Sequence, residues 1–589
     1  MKKITQIKLM LVSLFLVGFG QISQADTTFD YNDFSFNIID DTNVTAEVIG
    51  YNGSATEITI PTTAKCSWDG RTYDIVRIAK QAFLNKSNLT KISMPYSIKL
   101  VGDMAFMGCS NLGFITVPSS VESIGSYAFA GCSSMTSASV SGLKTIGANA
   151  FDGCTSLKSI ELPDGLTTLG AAAFKNCKAL TSINIPYNLG TLYNGTFEGC
   201  EALSKVNYGA YRCSTNGSVF EGLNNLTTLY IKQGVNWIPQ QMFKNCSNIK
   251  SVKMANSVRQ VQSEAFSGCS GIETLTLNDS LTIIDTKAFY GCKGITTLTI
   301  PKFTERIENA AFFDCEGLKS LKVNDTKYPL QIKSEAFFYC NNLEEITLGN
   351  NVSTIDTMAF ASTAVKSITI PASTTKIGAC VFLNTNLQAL TVDPENSVYD
   401  SRENCNAIVL TKDNKLIEAT PVTTIPEGIK TIGFYAFAMQ PITEVVIPNS
   451  VEDIEQEAFY GCAILNKLSL GTSLASSGEN AFFACNNITE INALATLPPA
   501  CFDNTFTSTT YDKATLYVPE AAKDDYAVAS VWKNFKTQVA ISGVDGVEAV
   551  EDAVEIGRYD LNGRQLTQPT QGINIIKLSD GKTLKVVVK

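Results

Sequence analysis

The chain of 589 residues contains no histidine. This absence excludes catalysis by Ser-His-Asp or Cys-His groups, metal sites with imidazole ligands and histidine pH switches. Basic residues are also few, with 46 Lys and Arg against 56 Asp and Glu, and the formal net charge is −10. A chain of this charge repels phosphate backbones, and no basic stripe reverses the charge locally, so nucleic acid is not an expected partner.

Long apolar runs and metal-binding cysteine pairs are missing too. No run beyond the N-terminus approaches the roughly 20 apolar residues that a membrane helix requires, so no transmembrane span is predicted. The sequence has no C-x-x-C pair and no cluster of ligand residues, so no metal or other cofactor is predicted. It also lacks G-x-S-x-G, a phosphate-binding loop and paired acids in a defined frame, which argues against an enzyme.

The N-terminus has the three parts of a secretory signal peptide. Three lysines accompany a short apolar core, LMLVSLFLVGFG at residues 9–20, and SQA at residues 23–25 offers small residues for cleavage. We therefore expect residues 1–25 to be a signal peptide and the mature chain to be exported to the cell surface or the extracellular space.

One repeated segment dominates the rest of the sequence. The string AFxGC, or a close variant, places a Phe 17 times, nearly always after 22 or 23 residues, with one longer gap of 55. The Phe residues are Phe83, Phe106, Phe129, Phe151, Phe174, Phe197, Phe220, Phe243, Phe266, Phe289, Phe312, Phe337, Phe360, Phe382, Phe437, Phe459 and Phe482. A fixed period of this length is typical of a solenoid, in which each coil buries its apolar face against its neighbours.

One unit, LGFITVPSSVESIGSYAFAGCSS at residues 112–134, shows how a coil is built. L-x-x-I-x-V predicts a short strand with alternate residues inward, and Pro118 ends it because proline lacks the N–H of a strand ladder. V-x-x-I-G predicts a second extended stretch, and AFxGC predicts a tight turn that closes the coil with its Phe and Cys inside. The structural ladder predicted in this way includes Phe106, Cys109, Phe129, Cys132, Phe151, Cys154, Phe174, Cys177, Phe266, Cys269, Phe289 and Cys292.

This pattern resembles the BspA-like leucine-rich repeat (LRR) family, cell-surface proteins of host-associated microbes, over roughly residues 30–540. The resemblance implies an α/β solenoid. The implied array is right-handed, with about 17 coils of 22–23 residues and one short parallel strand per coil on its concave face.

The predicted domains follow from where the repeat begins and stops. Residues 26–64, with the β-type runs FSFNIID, TAEVIGY and TEITIP, form an N-terminal β cap, and residues 65–500 form the solenoid. A hairpin insertion occupies residues 393–422, where AIVL and KLIEA flank a KDN turn, and we expect it to project from the array. Residues 501–540 form a C-terminal cap.

The C-terminal cap is predicted to end in a helix that lies over the last coil. Its apolar residues at helical spacing are Val528, Val531, Trp532 and Phe535. Residues 541–556 are small and acidic, which suggests a linker. Residues 557–589 form a small all-β segment in which Asn562-Gly563 and Asp580-Gly581 suit hairpin turns. With YDLxGR and a final KVVVK, this segment resembles the type IX secretion system sorting domain, which implies association with the outer membrane.

The 17 cysteines include twelve in the AFxxC slot. In-register stacking keeps their Cβ vectors parallel and further apart than the roughly 3.5–4.5 Å that a disulfide prefers. We therefore predict buried free thiols that act as small apolar residues. Any disulfide is expected among the five cysteines outside the slot, which the sequence does not pair: Cys66, Cys213, Cys380, Cys405 and Cys501.

The outward residues of the L-x-x-I-x-V strands line the concave face, the usual binding surface of such arrays, and most are Ser or Thr. Such polar residues also keep an exposed sheet soluble, which is the competing interpretation. Phe114 and Tyr230 break the pattern, and Trp237 aligns with the outward Ser123. An exposed aromatic side chain can anchor a protein or stack on a sugar, although local packing competes with this interpretation at each position. These three residues are the binding candidates.

The sequence therefore indicates an exported, non-enzymatic surface protein. The first hypothesis, which the family resemblance implies, is protein-protein binding or adhesion to host or matrix components, with a host or bacterial surface protein as the partner. The second is a surface carbohydrate-binding protein. The third is a structural, self-associating component of a surface layer. The oligomeric state is not predicted.

Overall fold

The computed structural model describes residues 27–541, 555–559, 565–566, 568, 572–578 and 583–588. The predicted signal peptide lies outside these residues, as do most of the predicted linker and both predicted turn pairs of the C-terminal segment.

Each coil of the solenoid has three sides. The L-x-x-I-x-V segment forms a strand of three or four residues, the V-x-x-I segment forms a strand that usually has two, and the AFxxC segment forms consecutive turns. We call these sides the long-strand face, the short-strand face and the turn face. Strands of successive coils pair in parallel and in register, as Ser137 does with Phe114 and Ser159. The prediction of a parallel-strand LRR solenoid is confirmed.

The long-strand face begins in the N-terminal cap and continues to the C-terminal cap. Its strands are Glu57–Thr59, Lys91–Ser93, Phe114–Thr116, Ser137–Ser139, Ser159–Glu161, Ser182–Ile185, Lys205–Tyr208, Thr228–Ile231, Ser251–Lys253, Thr274–Thr276, Thr297–Ile300, Ser320–Val323, Glu345–Thr347, Ser367–Ile370, Ala389–Val392, Glu444–Val446, Lys467–Leu470, Glu490–Ala493, Thr515–Pro519 and Thr537–Ile541.

The short-strand face is continuous with the cap strands Thr28–Tyr31, Phe34–Asp40, Thr45–Tyr51, Thr63–Lys65 and Thr72–Ile78. Its strands are Leu100–Val101, Ser123–Ile124, Thr145–Ile146, Thr168–Leu169, Thr191–Leu192, Ser214–Thr215, Trp237–Ile238, Gln260–Val261, Ile283–Ile284, Arg306–Ile307, Leu330–Ile332, Val352–Ile355, Lys376–Ile377, Tyr399–Asp400, Ala407–Leu410, Lys415–Ala419, Thr431–Ile432, Asp453–Ile454, Ser476–Ser477 and Ala500–Cys501.

Among the described residues, helices are short and lie near the hairpin and in the C-terminal cap. The α-helices are α1 (Ser508–Lys513) and α2 (Lys523–Val528), and the 3-10 helices are Arg402–Asn404, Thr411–Asp413, Glu520–Ala522 and Trp532–Asn534. The C-terminal segment forms a four-stranded antiparallel sheet. Its strands are Glu555–Tyr559, Gln565–Leu566, Gly572–Leu578 and Thr583–Val588.

A backbone ladder holds the turn face together. Alternate amides donate to carbonyls of the next coil, as Phe106 N does to Ala128 O at 2.7 Å. The amides between them close turns within the coil, as Met107 N does with Met104 O at 3.1 Å. The chain reaches this geometry with left-handed backbone at Met104 (φ 54°) and Gly108 (φ 76°). Glycine therefore recurs before the slot cysteine because it adopts positive φ at no steric cost.

Phenylalanine rings stack behind these turns along the axis of the solenoid. Fourteen rings from Phe83 to Phe382 form one stack, with centroids 4.9–6.0 Å apart and planes within 14°. A second stack contains the four rings Phe437, Phe459, Phe482 and Phe506. Phe506 was not predicted, because its coil lacks the AFxxC signature. We call the coils around the two stacks the first and the second array.

The slot cysteines link neighbouring coils. Each of the twelve thiols donates to the carbonyl oxygen of the Phe in the preceding coil, with Sγ–O distances of 2.9–3.3 Å. All 17 cysteines lie in the described part of the chain, and all are free. The prediction of buried free thiols is confirmed for the slot, but these thiols are hydrogen-bond donors as well as apolar filling. No disulfide joins the five cysteines outside the slot, which the structure describes as free.

The hairpin insertion joins the two arrays and does not project from them. Ala407–Leu410 pairs antiparallel with Lys415–Ala419, which pairs in parallel with Thr431–Ile432 of the second array. Val409 and Leu416 are fully buried in the core of the second array. The expectation of a projecting hairpin is therefore wrong, because the hairpin supplies strands of the short-strand face and apolar residues of the core.

Glu418 of the hairpin completes the turn ladder at the end of the first array. The amide of Phe382 donates to Glu418 Oε1 at 3.0 Å, and the amide of Val381 donates to Oε2 at 3.2 Å. Oε1 thus stands where a carbonyl of the next coil stands elsewhere. The bond to Val381 differs, because the equivalent amide in other coils closes a turn within its own coil, as Ala359 N does with Asp356 O at 3.1 Å. Burial raises the pKa of Glu418 to about 8, while these two hydrogen bonds oppose the rise.

Aromatic side chains close both ends of the solenoid. At the N-terminal end, Phe34 of the cap meets Phe83 edge-on, with ring centroids 6.5 Å apart. At the C-terminal end, Trp532 and Phe535 meet Phe506 at 64° and 75° and end the parallel stacking. Both ends of the ring stacks are therefore covered within the chain.

The predicted helix over the last coil is wrong. Helix α2 ends at Val528, which is 75% exposed, and Val531 adopts left-handed backbone with φ 71°. This reversal places Trp532 against the last coil, where its Nε1 donates to Pro499 O at 2.8 Å. A tertiary contact therefore overrides the helical spacing of the apolar residues.

The buried thiols make a prediction about chemical reactivity. Desolvation raises the pKa of Cys109 and of Cys200 to about 12, and the thiolate is the form that attacks disulfide reagents. We expect at most one thiol per native chain, the partly exposed Cys501, to react with an aromatic disulfide reagent at neutral pH. All 17 should react in concentrated guanidinium chloride. Rapid reaction of several native thiols would contradict this packing.

Glu418 makes a prediction about stability and pH. Its folded pKa, about 8, lies above the ordinary value of 4.5, so its contribution to stability is full below about pH 4.5 and is lost as the pH rises to about 8. The expected loss of stability is about 5 kcal/mol. Glu418→Gln removes this titration at the cost of one hydrogen bond, about 1 kcal/mol at low pH.

The test is the thermal midpoint of unfolding at pH 5 and pH 9, with the exposed Glu427→Gln as the matched control. The thermal midpoints of the native chain and of Glu427→Gln should fall by the same amount from pH 5 to pH 9. The midpoint of Glu418→Gln should fall less, so this variant becomes more stable relative to the native chain as the pH rises. Parallel pH profiles for all three chains would show that Glu418 does not titrate in this way.

Candidate functional site

The outward residues of the long-strand face form a polar surface along the solenoid. Most are Ser or Thr, many of these are exposed, and some side chains of the face bond to one another across coils. Asn207 Nδ2 donates to Asn184 Oδ1 at 2.6 Å, and the hydroxyls of Thr369 and Thr391 lie 2.9 Å apart. The face therefore presents hydrogen-bonding groups at the spacing of the coils.

Two predicted binding candidates lie on this face but not together. Phe114 is 45% exposed and Tyr230 is 58% exposed, and each side chain points outward from its strand. Neither ring stacks on another ring within the described residues. Five coil steps of about 4.8 Å separate their strands by roughly 24 Å. One large partner could contact both residues, but a small ligand could not.

The third candidate, Trp237, lies on the short-strand face and is half-buried. Its Nε1 donates to Cys213 O at 2.8 Å, and the Arg212 guanidinium lies 5.3 Å from its ring. Local contacts therefore account for much of its surface. The structure does not bring Trp237 together with Phe114 or Tyr230.

An aromatic and basic cluster lies at the corner between the long-strand and short-strand faces. Tyr187 and Tyr211 stack at 5.5 Å and 16°, and they are 44% and 39% exposed. Arg212 lies over both Tyr211, at 5.1 Å, and Trp237. We call Tyr187, Tyr211, Arg212 and Trp237 the corner cluster. Of these four residues, the repeat pattern predicted only Trp237 as a binding candidate.

Two glycines make room for the side chains around the corner cluster. An added Cβ at Gly209 would lie 2.8 Å from Ile185 O and 3.2 Å from Lys232 Cδ. An added Cβ at Gly234 would lie 3.0 Å from a ring carbon of Tyr187. Lys232 therefore extends over Gly209, and Tyr187 leans towards Gly234.

A polar hollow of about 590 Å³ lies beside this corner on the long-strand face. Its lining includes the polar or charged side chains of Ser139, Ser159, Glu161, Asp164, Asn184 and Lys232. Glu161, Asp164 and Lys232 form no ion pair within the described residues. The hollow therefore offers one amine and two carboxylates to a binding partner, within reach of the corner cluster.

The same corner carries a second aromatic and basic group further along the array. Phe303 and Tyr328 have ring centroids 6.5 Å apart, and Lys327 Nζ lies 5.5 Å from each centroid. Lys302 Nζ lies 5.5 Å from Phe303 as well. Paired aromatic and basic side chains thus recur where the chain leaves the long-strand face.

Among the described residues, no group of three His, Cys, Asp or Glu side chains could hold a metal ion. None of the helices that the structure describes combines the length and apolarity of a membrane span.

The repeat matches a known family. Residues 76–204, 167–296, 282–408 and 419–517, well over half of the chain, match the BspA type leucine rich repeat region in its six-copy form. The chain belongs to the BspA type leucine-rich repeat family. The BspA type match stops at residue 408 and resumes at residue 419, on either side of Glu418 and the hairpin turn. No curated protein matches the chain.

Solved structures of other LRR proteins are similar to this BspA type chain. One from Bacteroides ovatus is 22% identical, with a TM-score of 0.38, and the match covers 79% of this chain and 94% of that chain. A leucine rich cell surface protein from Faecalibacterium prausnitzii is 20% identical, with a TM-score of 0.26 and the same coverage. A T. pallidum LRR protein is 24% identical, with a TM-score of 0.29, and the match covers 37% of this chain and 88% of that chain.

Proposed function

We propose that this BspA type protein is an exported, non-enzymatic surface protein that binds a protein partner along its long-strand face. The observation that carries the proposal is the corner cluster. Tyr, Trp and Arg are the residue types that most often dominate the binding energy of protein interfaces. Tyr187 and Tyr211 are half exposed and are held by stacking on each other, so little conformational entropy is lost when a partner contacts them.

The surroundings of the corner cluster support a protein partner. Glu161, Asp164 and Lys232 of the polar hollow supply charges beside the aromatic anchors, as in interfaces with an apolar centre and a polar rim. The polar face extends over many coils, and exposed Phe114 and Tyr230 lie along it. A partner that covers this length is a macromolecule.

We infer that the partner is a host, matrix or bacterial surface protein, and that the chain acts in adhesion. Export by the signal peptide at residues 1–25 belongs to the same proposal. Residues 557–589 would then act as a type IX sorting segment and associate the chain with the outer membrane. The antiparallel sheet that contains Gly572–Leu578 and Thr583–Val588 supports an independent small β segment there.

Two other functions compete with protein binding. Carbohydrate binding at the same surface is favoured by the stacked Tyr187 and Tyr211, because exposed aromatic faces also suit sugar rings. Self-association end to end is less favoured, because Phe34 at one end and Trp532 at the other cover the ring stacks.

The test is a binding screen of the full mature chain against purified extracellular-matrix proteins and a glycan array. We expect saturable binding to at least one protein. Tyr211→Ser/Arg212→Ser should weaken it at least thirtyfold, which corresponds to about 2 kcal/mol for a hot spot. Phe114→Ser/Tyr230→Ser should weaken it further if the partner covers the face.

Tyr96→Ser is the matched control, because Tyr96 also follows the end of a long strand and is 75% exposed but lies outside the corner cluster. It should leave the affinity unchanged. Binding to glycans alone would favour the carbohydrate hypothesis, and no binding on either panel would favour a structural role.

A further inference from the structure

A cleft with two aromatic walls lies on the short-strand face of the second array. It crosses the parallel strands Thr431–Ile432, Asp453–Ile454, Ser476–Ser477 and Ala500–Cys501, which are paired in this order. Its volume is about 520 Å³, within the roughly 300–1,000 Å³ of small-molecule sites. The cleft is far along the chain from the corner cluster and is independent of the function proposed above.

Phe434 and Phe502 form the walls of the cleft. Phe434 follows the first of the four strands and is 42% exposed, whereas Phe502 follows the fourth and is 57% exposed. Three strand steps of about 4.8 Å place the two strand ends roughly 14 Å apart. Phe502 stacks on no ring within the described residues, and Phe434 meets Tyr435 edge-on at 67°. Both walls therefore retain apolar surface that a ligand could cover.

Glu455 fixes the first wall in place. Its Oε2 accepts a hydrogen bond from Phe434 N at 2.9 Å, and its Oε1 pairs with Lys415 Nζ at 2.6 Å. Phe434 also departs from the repeat, because no other coil carries an aromatic residue at this position, where residues such as Ser126, Ala148 and Gln240 stand. Phe434 is thus an addition to the repeat, and the hydrogen bond to Glu455 holds its backbone in place.

The floor between the walls is open and polar. An added Cβ at Gly478 would lie 2.4 Å from Gln456 N, so glycine is required there and leaves the floor without a side chain. Gln456 is exposed beside it, and Asp453 accepts a hydrogen bond from Ser476 Oγ. Hydroxyl, amide and carboxylate groups therefore converge on the space between two apolar walls.

We propose that this cleft binds a short segment of neutral glycan. Sugar rings combine apolar C–H faces, which suit Phe434 and Phe502, with hydroxyls that both donate and accept hydrogen bonds, which suit Asp453 and Gln456. No basic side chain lines the cleft within the described residues. Acidic sugars and phosphates would meet carboxylates there and are disfavoured by repulsion.

The geometry favours a glycan over a basic peptide. Glu455 is already neutralised by Lys415, and Asp453 is already hydrogen-bonded to Ser476. A lysine or arginine entering the cleft would lose its water and would find one carboxylate without an ion pair, Asp453, which already accepts a hydrogen bond from Ser476. A neutral polyhydroxyl ligand does not carry that desolvation cost.

The test is calorimetric titration of the full mature chain with linear tetrasaccharides of glucose, mannose and N-acetylglucosamine. Galacturonate tetramer and tetralysine serve as the charged probes. We expect at least one neutral tetrasaccharide to bind and the galacturonate tetramer not to bind. Phe434→Ala and Phe502→Ala should each weaken the neutral ligand at least tenfold. Tyr96→Ala, which removes an exposed aromatic residue on the first array, is the matched control and should leave the affinity unchanged.

Thermal midpoints equal to that of the native chain would show that the variants are folded, and Gln456→Ala is the replacement if a Phe variant fails this check. Three outcomes would overturn the proposal. They are no binding of any neutral tetrasaccharide, binding that neither Phe variant weakens, and tetralysine binding tighter than that of every neutral glycan.

Discussion

On the turn face, alternate amides of each coil donate to carbonyls of the next, and this ladder sets the distance and register of everything behind it. Because the coils are about one strand spacing apart, a Phe in the same position of each coil meets its neighbour at stacking distance. The carbonyl of that Phe closes a turn with the slot Cys amide and also accepts the next thiol, as Phe106 O does from Cys109 N and Cys132 Sγ. The same spacing places the strands of the other two faces and so carries the side chains that a ligand would contact.

The features that we propose as binding surfaces lie where coils depart from the repeat. Gly209 interrupts the sequence that normally follows a long strand, and the space it leaves admits Lys232 beside the polar hollow. Phe434 stands at a position where the other coils carry no aromatic residue, and it becomes a wall of a cleft. A regular solenoid is therefore a neutral scaffold on which single substitutions at outward positions create binding surface without disturbing the core.

The sequence predicts the regular part of this molecule well, because period and spacing decide it. The strands, the turns and the buried positions of Phe106 and Cys109 follow from one aligned unit. The thiol hydrogen bonds do not follow, because they depend on where the neighbouring carbonyl points. The helix prediction around Val531 fails for the same reason, because helical spacing does not reveal the hydrogen bond that Trp532 Nε1 donates to Pro499 O.

The corner cluster was missed although the sequence contains a signal for it. Tyr187 and Tyr211 occupy positions where most coils carry Ser, Asp or Asn, and a comparison of equivalent positions across the coils would have found them.

The gap in the ring stack between Phe382 and Phe437 also has a mechanical meaning. In a solenoid each coil contacts only its neighbours, so tension applied to the ends passes through every junction in series. Most junctions resist with stacked rings, a thiol bond and a full backbone ladder, whereas the turn face of the hairpin junction has two amides bonded to one side chain, Glu418, in place of the rings and the thiol. A chain held at its C-terminus and pulled through a partner on the first array would therefore transmit the force across this junction through the hairpin strands and their buried side chains, and not through the ring stack.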